Sequence, residues 1–139
     1  MKIPFGTITI TKESRDLLDK ALDSGRVSNG KFVREFEERF AKLAGVREAV
    51  AVSSGTDADI LALAVLYDFG AKRGDQVIVP ALSFVATGNA VLHAGFKPVF
   101  VDIDSDTYNI DPDLIKAAIT ANTKAIMPVH YSGLACKMD

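Results

Sequence analysis

Cysteine is nearly absent. The single one, Cys136 in 139 residues, rules out an intrachain disulfide and suits a reducing compartment. Charge of one sign is also missing, since 16 basic and 18 acidic residues leave a formal net charge of −2 with no block of like charges. That balance argues against nucleic acid or a membrane surface as partner. The apolar runs are short and interrupted, below the roughly 20 residues that a membrane-spanning helix needs. Met1-Lys2-Ile3-Pro4-Phe5-Gly6 lacks the apolar core of a signal peptide. The expectation is a soluble, cytoplasmic protein. No Gly-x-Ser-x-Gly, Gly-x-Gly-x-x-Gly or P-loop pattern occurs, which removes the nucleophile elbow, the dinucleotide fingerprint and the Walker-type phosphate loop. No internal repeat or low-complexity linker interrupts the chain.

What is present is a hydrophobic content of 48%, ordinary for a soluble α/β protein, in a chain long enough to bury a real core. Residues 1–10 read as extended, with Ile3, Phe5, Thr7 and Thr9 alternating and Pro4 discouraging a helix. Thr11 is an N-cap for a first helix carrying Leu17, Leu18, Ala21 and Leu22, which Gly25 stops. Phe32, Val33, Phe36, Phe40 and Leu43 fall on one face of a second helix ended by Gly45, and a stripe of phenylalanines reads as core rather than as a binding surface.

From Glu48 onward strands and helices alternate. Strand Ala49–Val52, expected to be buried on both faces, leads to helix Thr56–Phe69, closed by Gly70. Strand Gln76–Val79 ends at Pro80 and leads to helix Ser83–Ala94, closed by Gly95. Strand Pro98–Val101 precedes Asp102-Ile103-Asp104, and Asp111-Pro112 then caps and opens helix Pro112–Ile119. Strand Ala125–Val129 runs into His130-Tyr131-Ser132-Gly133. Four β units joined by helices predict an α/β fold, a mostly parallel sheet with helices on both faces. The pattern divides into an N-terminal segment with helices, 1–45, and an incomplete α/β layer, 46–139. The last strand is followed by no closing helix, so the sequence is expected to be the first part of a longer protein.

Ligands of open parallel sheets gather at the carboxyl ends of the strands. Ser53-Ser54-Gly55-Thr56 between a strand and a helix start is a ready anion site, because first-turn N–H groups and the positive dipole end point outward there. Gly55 lets the backbone approach closely, and the Thr56 hydroxyl adds a donor. The same residues also serve as a plain helix cap. Phe84, opening a helix at that edge, either stacks on a planar heteroaromatic group or packs against a neighbouring loop. Asp102 and Asp104 are solvated strand-end acids or a sparse metal site, with the solvated reading favoured and no metal expected. His130 is an acid–base group or a hydrogen-bonded structural residue.

Taken together, several segments resemble the pyridoxal-phosphate-dependent sugar aminotransferases of the DegT/DnrJ/StrS type, within the aspartate-aminotransferase-like fold. They are Gly30-Lys31-Phe32-Val33-Arg34-Glu35-Phe36-Glu37, Ser54-Gly55-Thr56-Asp57-Ala58 and Gly74-Asp75-Gln76-Val77-Ile78-Val79-Pro80-Ala81-Leu82-Ser83-Phe84-Val85-Ala86-Thr87. Lys97-Pro98-Val99-Phe100-Val101-Asp102-Ile103-Asp104, Tyr108-Asn109-Ile110-Asp111-Pro112, Ala118-Ile119-Thr120 and Pro128-Val129-His130-Tyr131-Ser132-Gly133 complete the likeness, which runs over nearly the whole chain in order.

The resemblance implies the first half of an aspartate-aminotransferase-like large domain and pyridoxal 5'-phosphate as cofactor. It places Gly55, Thr56 and Asp57 at the cofactor phosphate and Phe84 on the pyridine ring. Asp57 departs from the smaller residue commoner there, so its N–H can serve the phosphate while its carboxylate must turn away. Ser28-Asn29-Gly30 resembles a segment near the substrate. The implied reaction aminates a keto-sugar nucleotide with an amino-acid donor, usually glutamate, in a homodimer. The lysine that bonds to the cofactor, and the aspartate that pairs with the pyridine nitrogen, match no residue here, so no catalytic residue is assigned. The competing reading is a non-catalytic binding or regulatory protein on the same scaffold.

Overall fold

The computed structural model describes residue 6 and residues 8–139, in two compact units, Met1–Ala51 and Val52–Asp139. The expected alternation at Ile3, Phe5 and Thr7 lies outside the described residues, and Thr9 belongs to no regular element.

In the first unit, helix α1 (Lys12–Asp23) starts where Thr11 Oγ1 accepts the Ser14 N–H at 3.1 Å, the cap read from the sequence. It ends at Ser24, and Gly25 turns the chain away at φ +66°. Helix α2 (Lys31–Ala44) ends at Gly45 in the left-handed region, with the Val46 N–H closing on the Ala41 carbonyl at 3.0 Å. The expectation that the α2 stripe forms a core is corrected. Phe36, Phe40 and Leu43 are 56%, 51% and 84% exposed, and Ala41 is the residue of α2 that is buried. The stripe is real, and the Phe36 and Phe40 rings lie 5.9 Å apart along it. Phe32 and Val33 are half-buried, but an apolar face becomes core only where a second apolar layer covers it, and among the described residues none closes over Phe36, Phe40 and Leu43.

The second unit is built around β1 (Gln76–Pro80), the middle of a parallel sheet ordered β2-β1-β3, with β2 spanning Lys97–Val101 and β3 spanning Thr123–Ile126. Successive β1 side chains point to opposite faces and both faces are covered. Val77 and Val79 pack with Leu63 of α3 (Gly55–Ala64) and with Val91 and Ala94 of and beside α4 (Val85–His93). Ile78 faces the other way, into Val101, Ile110 and Cys136, with Ile115 and Ala118 of α5 (Pro112–Ala118) packed behind. Val77, Ile78 and Val79 are fully buried, each worth about 1.5–3 kcal/mol against exposure. The α/β class with helices on both faces of a parallel sheet is as expected.

The number of strands is not. Residues 49–52 pair with no strand among those described, Val50 is 72% exposed, and the Ala51 N–H donates to Glu37 Oε1 at 2.9 Å. A short apolar run sets a tendency to extend, but a strand exists only where a neighbouring strand takes its backbone groups. Smaller shifts follow local chemistry. The third helix tightens into a 3₁₀ turn, Val65–Phe69, before Gly70 closes it at φ +88°. The fourth begins at Val85 rather than Ser83, and the last strand is Thr123–Ile126, although the Met127 N–H still reaches the Ile78 carbonyl at 2.8 Å.

Candidate functional site

The sheet direction decides which loops meet. The strands are parallel, so the turn entering α4 and the Asp102-Ile103-Asp104 loop leave from one edge, and the Ala81 N–H donates across it to the Val101 carbonyl at 2.8 Å. Helix α3 joins them through its far end. Tyr67, in the 3₁₀ extension of α3, donates its hydroxyl to the Ala94 carbonyl at the end of α4 at 2.8 Å, and its ring stacks on Phe96 at 4.9 Å. With their C-terminal ends together and Leu63 packed with Val91, the two helices run side by side in the same direction. Their N-termini, at Ser54–Asp57 and at Phe84, therefore share the carboxyl edge of the sheet.

At the first of these ends, Ser54 is the N-cap of α3, and its Oγ accepts the Asp57 N–H at 3.1 Å. The Asp57 carboxylate folds back, and its Oδ2 accepts from the hydroxyls of both Ser53 and Ser54, the latter at 2.9 Å. The Ser53 hydroxyl, and after it that of Ser54, hold this carboxyl below its usual value of 3.8 by stabilising the ionised form. The Asp57 N–H is thus already engaged. Gly55 and Thr56 precede the first intrahelical bond, which the Ala58 N–H makes to the Ser54 carbonyl, and their N–H groups meet no acceptor among the described residues. A Cβ built on Gly55 meets nothing within 4 Å. Two outward amides and open space at a helix start fit an anion such as a phosphate.

At the second end, Phe84 occupies the N-cap position of α4 with its side chain 79% exposed. An apolar ring this open at a sheet edge fits a flat aromatic partner.

The remaining strand-end residues take structural parts. Asp104 Oδ1 accepts from the Asp106 and Thr107 N–H groups at 2.9 and 2.8 Å and from the Thr107 hydroxyl at 3.1 Å. These bonds, the Thr107 N–H foremost, lower its carboxyl pKa and make it the cap of a turn. Asp102 Oδ1 accepts from the Ile103 N–H. His130 Nδ1 accepts the Cys136 N–H at 3.0 Å, the structural half of its two readings. No cluster of three or more His, Cys, Asp or Glu that could hold a metal occurs among the described residues. Ser28 lines a cavity of about 400 Å³ in the first unit with Lys20, Arg26 and Lys31.

Sequence reasoning missed Asn109. It is 5% exposed, donates from Nδ2 to the Leu134 and Ala135 carbonyls at 3.2 Å, and accepts the Tyr131 N–H at 2.9 Å. This one side chain pins residues 131–135 to the loop after β2. An Asn inside Tyr-Asn-Ile-Asp-Pro looks like a turn residue, and no spacing in the sequence signals a partner more than twenty positions away.

The chain as a whole is similar to known proteins. The chain is 44% identical to the spore coat polysaccharide biosynthesis protein SpsC of Bacillus subtilis over 137 residues, 99% of this chain and 34% of that protein. It is 44% identical to the GDP-perosamine synthase of Caulobacter vibrioides over 126 residues, 90% of this chain and 33% of that protein. Among solved structures it superposes with a TM-score of 0.83 on the E. coli GDP-4-keto-6-deoxy-D-mannose-3-dehydratase with bound hydrated PLP, at 37% identity. It does so equally on S. venezuelae DesV in complex with a ketimine intermediate, at 38% identity, each match covering 93% of this chain and 34% of the other. The chain thus spans about a third of the length of the relatives it matches. No described helix is long and apolar enough to cross a membrane. The profile of the DegT/DnrJ/EryC1/StrS aminotransferase family matches residues 8–139, nearly the whole chain, and the chain belongs to that family.

Proposed function

We propose that this chain supplies the cofactor-phosphate side of a pyridoxal-phosphate-dependent sugar aminotransferase that aminates a keto-sugar nucleotide, with glutamate as the usual donor. The observation that carries this reading is the pair of outward amides at Gly55 and Thr56, set at the same sheet edge as the exposed ring of Phe84. The Gly55 and Thr56 N–H groups and the Thr56 hydroxyl hold the phosphate, favoured by the positive end of α3. Phe84 covers one face of the pyridine ring and keeps water from it. The Asp57 carboxylate is turned away onto the Ser53 and Ser54 hydroxyls and its N–H stays on Ser54 Oγ, so neither group holds the phosphate. Pyridoxal phosphate, when bound, supplies the electron sink that lets an amino group replace a keto oxygen.

The lysine that bonds to the cofactor lies outside residues 1–139 in this reading. Lys72, Lys97 and Lys124 stand at the amino edge of the sheet, opposite the candidate site. Lys116 is paired with Asp113 on α5 at 3.0 Å, and Lys137 lines a small cavity together with Asp104 and Thr107. The non-catalytic alternative is not favoured by relatives that are biosynthetic enzymes. The family resemblance further supports a 46–139 cofactor-binding segment, a homodimer and a cytoplasmic location, which sedimentation and fractionation of the full-length protein test.

The test is cofactor affinity in the full-length protein. Gly55→Val should weaken pyridoxal phosphate binding more than Thr56→Ala, because a branched side chain blocks the approach while the smaller change removes one donor; the helix end contributes about 0.3–2 kcal/mol. A Cβ at Gly55 meets nothing within 4 Å in this chain, and an unchanged melting temperature beside the lost affinity assigns the loss to the ligand. Asp57→Ala should bind equally or slightly tighter, as it removes a negative charge and frees two hydroxyls. Borohydride should fix the cofactor to a lysine beyond residue 139. Normal binding by Gly55→Val, or stoichiometric labelling of one lysine within residues 1–139, overturns the assignment. An assay that finds loss of a sugar hydroxyl in place of amination would align the protein with its dehydratase relative.

A further inference from the structure

Phe84 is an unusual N-cap because its side chain cannot accept a hydrogen bond, and no side-chain cap is formed there. Its own exposure leaves little packing to fix the ring. Thr87, one turn into α4, makes up both deficits from behind. Its N–H donates to the Phe84 carbonyl at 3.0 Å, and its hydroxyl pairs with the Ser83 hydroxyl at 2.7 Å. The two bonds bracket Phe84, one on the residue before it and one on its own carbonyl. Thr87 is only 7% exposed and packs on the sheet side of the helix, so the hydroxyl pair is anchored to the core. A helical threonine ordinarily returns its hydroxyl to a backbone carbonyl of the preceding turn, whereas this one is spent on a side chain of the loop.

We infer that the Ser83–Thr87 hydroxyl pair is a positioning device for Phe84, holding the loop–helix junction at φ −65° and ψ 143° so that the ring is ordered before the cofactor arrives. The inference rests on the reading that Phe84 stacks on the cofactor ring. Its physical basis is preorganisation: a ring already held in place gives up less freedom on stacking than one that swings with a loose junction. Neither Ser83 nor Thr87 touches the cofactor in this proposal.

The experiment is a mutant cycle in the full-length protein, read by pyridoxal phosphate affinity, by the induced circular dichroism of the bound cofactor, and by melting temperature. Thr87→Val and Ser83→Ala should each weaken binding roughly 2- to 10-fold, the worth of one hydrogen bond, and should change the induced dichroism. Thr87→Ser should restore both. In a Phe84→Ala background, Thr87→Val should cost nothing further, because the residue it positions is gone. Equal losses from Thr87→Val in both backgrounds, or normal affinity and dichroism in Thr87→Val and Ser83→Ala while Phe84→Ala is impaired, overturn the inference. If Thr87→Val does not fold, Ser83→Ala breaks the same pair from the loop side and decides the matter. No loss in Phe84→Ala itself overturns the stacking reading, and the inference with it.

Discussion

In Val52–Asp139 the central strand buries three consecutive residues completely, whereas in Met1–Ala51 the apolar stripe of α2 leaves Phe36, Phe40 and Leu43 more than half exposed. Both segments carry clear apolar patterns, β1 as a short unbroken run and α2 at helical spacing. The difference lies in what each pattern meets. Around β1, α3 and α4 cover one face and α5 the other, so every side chain finds a layer. Around α2, the pattern fixes which face is apolar and stops there. Periodicity is a property of one element, and burial is a property of two.

Truncation of side chains should expose this contrast most sharply. Ile78→Ala removes fully buried atoms from a packed sheet and should destabilise the chain by about 2–5 kcal/mol in urea unfolding. Leu43→Ala, at a position 84% exposed, should stay within about 0.5 kcal/mol of the parent. A loss from Leu43→Ala as large as that from Ile78→Ala would break the comparison and show that the stripe is covered in solution.

A matched pair of glycines gives the next largest effect. Gly45 ends α2 at φ +68° and a Cβ there meets nothing within 4 Å, while Gly95 follows α4 at φ +88° with a would-be Cβ 2.8 Å from Tyr67 Oη and 3.1 Å from Arg73 Nη1. Alanine at either position carries about 1–2 kcal/mol of left-handed strain. At Gly95 it must also displace a tyrosine that is bonded to Ala94 and stacked on Phe96, adding about 1–3 kcal/mol of overpacking. Equal melting temperatures for Gly45→Ala and Gly95→Ala would mean that the Tyr67 contact yields freely.

The smallest effect is a titration. The Asp57 and Asp104 carboxyls are held below 3.8 by bonds to their ionised forms, from Ser53 and Ser54 in one case and from Thr107 and Asp106 in the other. With the folded value depressed, the stability each lends is present above 3.8 and is lost as the pH falls through the folded value. Ser54→Ala should move the Asp57 midpoint back up toward 3.8 in an NMR titration and leave Asp104 where it is. An unmoved Asp57 would mean that Ser53 alone holds the carboxylate.

Much of this protein is local and was legible. Thr11, Gly25, Gly45, Gly70, Gly95 and Asp111-Pro112 each bound an element where the sequence places the boundary, because caps and left-handed closures depend on a few adjacent residues. The alternation of strand and helix after Glu48 carried the parallel α/β class, since parallel strands need a long crossover between them. The Ser54-Gly55-Thr56 turn was readable as a capped helix start for the same local reason, and the string of motifs carried the family.

What only the folded structure decided is which partner each group meets, near or far in sequence. It left 49–52 unpaired and α2 half bare, because pairing and burial require a second surface that no local pattern supplies. It spent the Asp57 N–H on Ser54 and folded the carboxylate onto both serines, a choice set by side-chain geometry within one turn and not by residue type. It tied Asn109 to residues 131–135, and it gave Thr87 a partner in Ser83, because a hydroxyl or an amide satisfies itself with whichever group the fold brings within 3 Å or so.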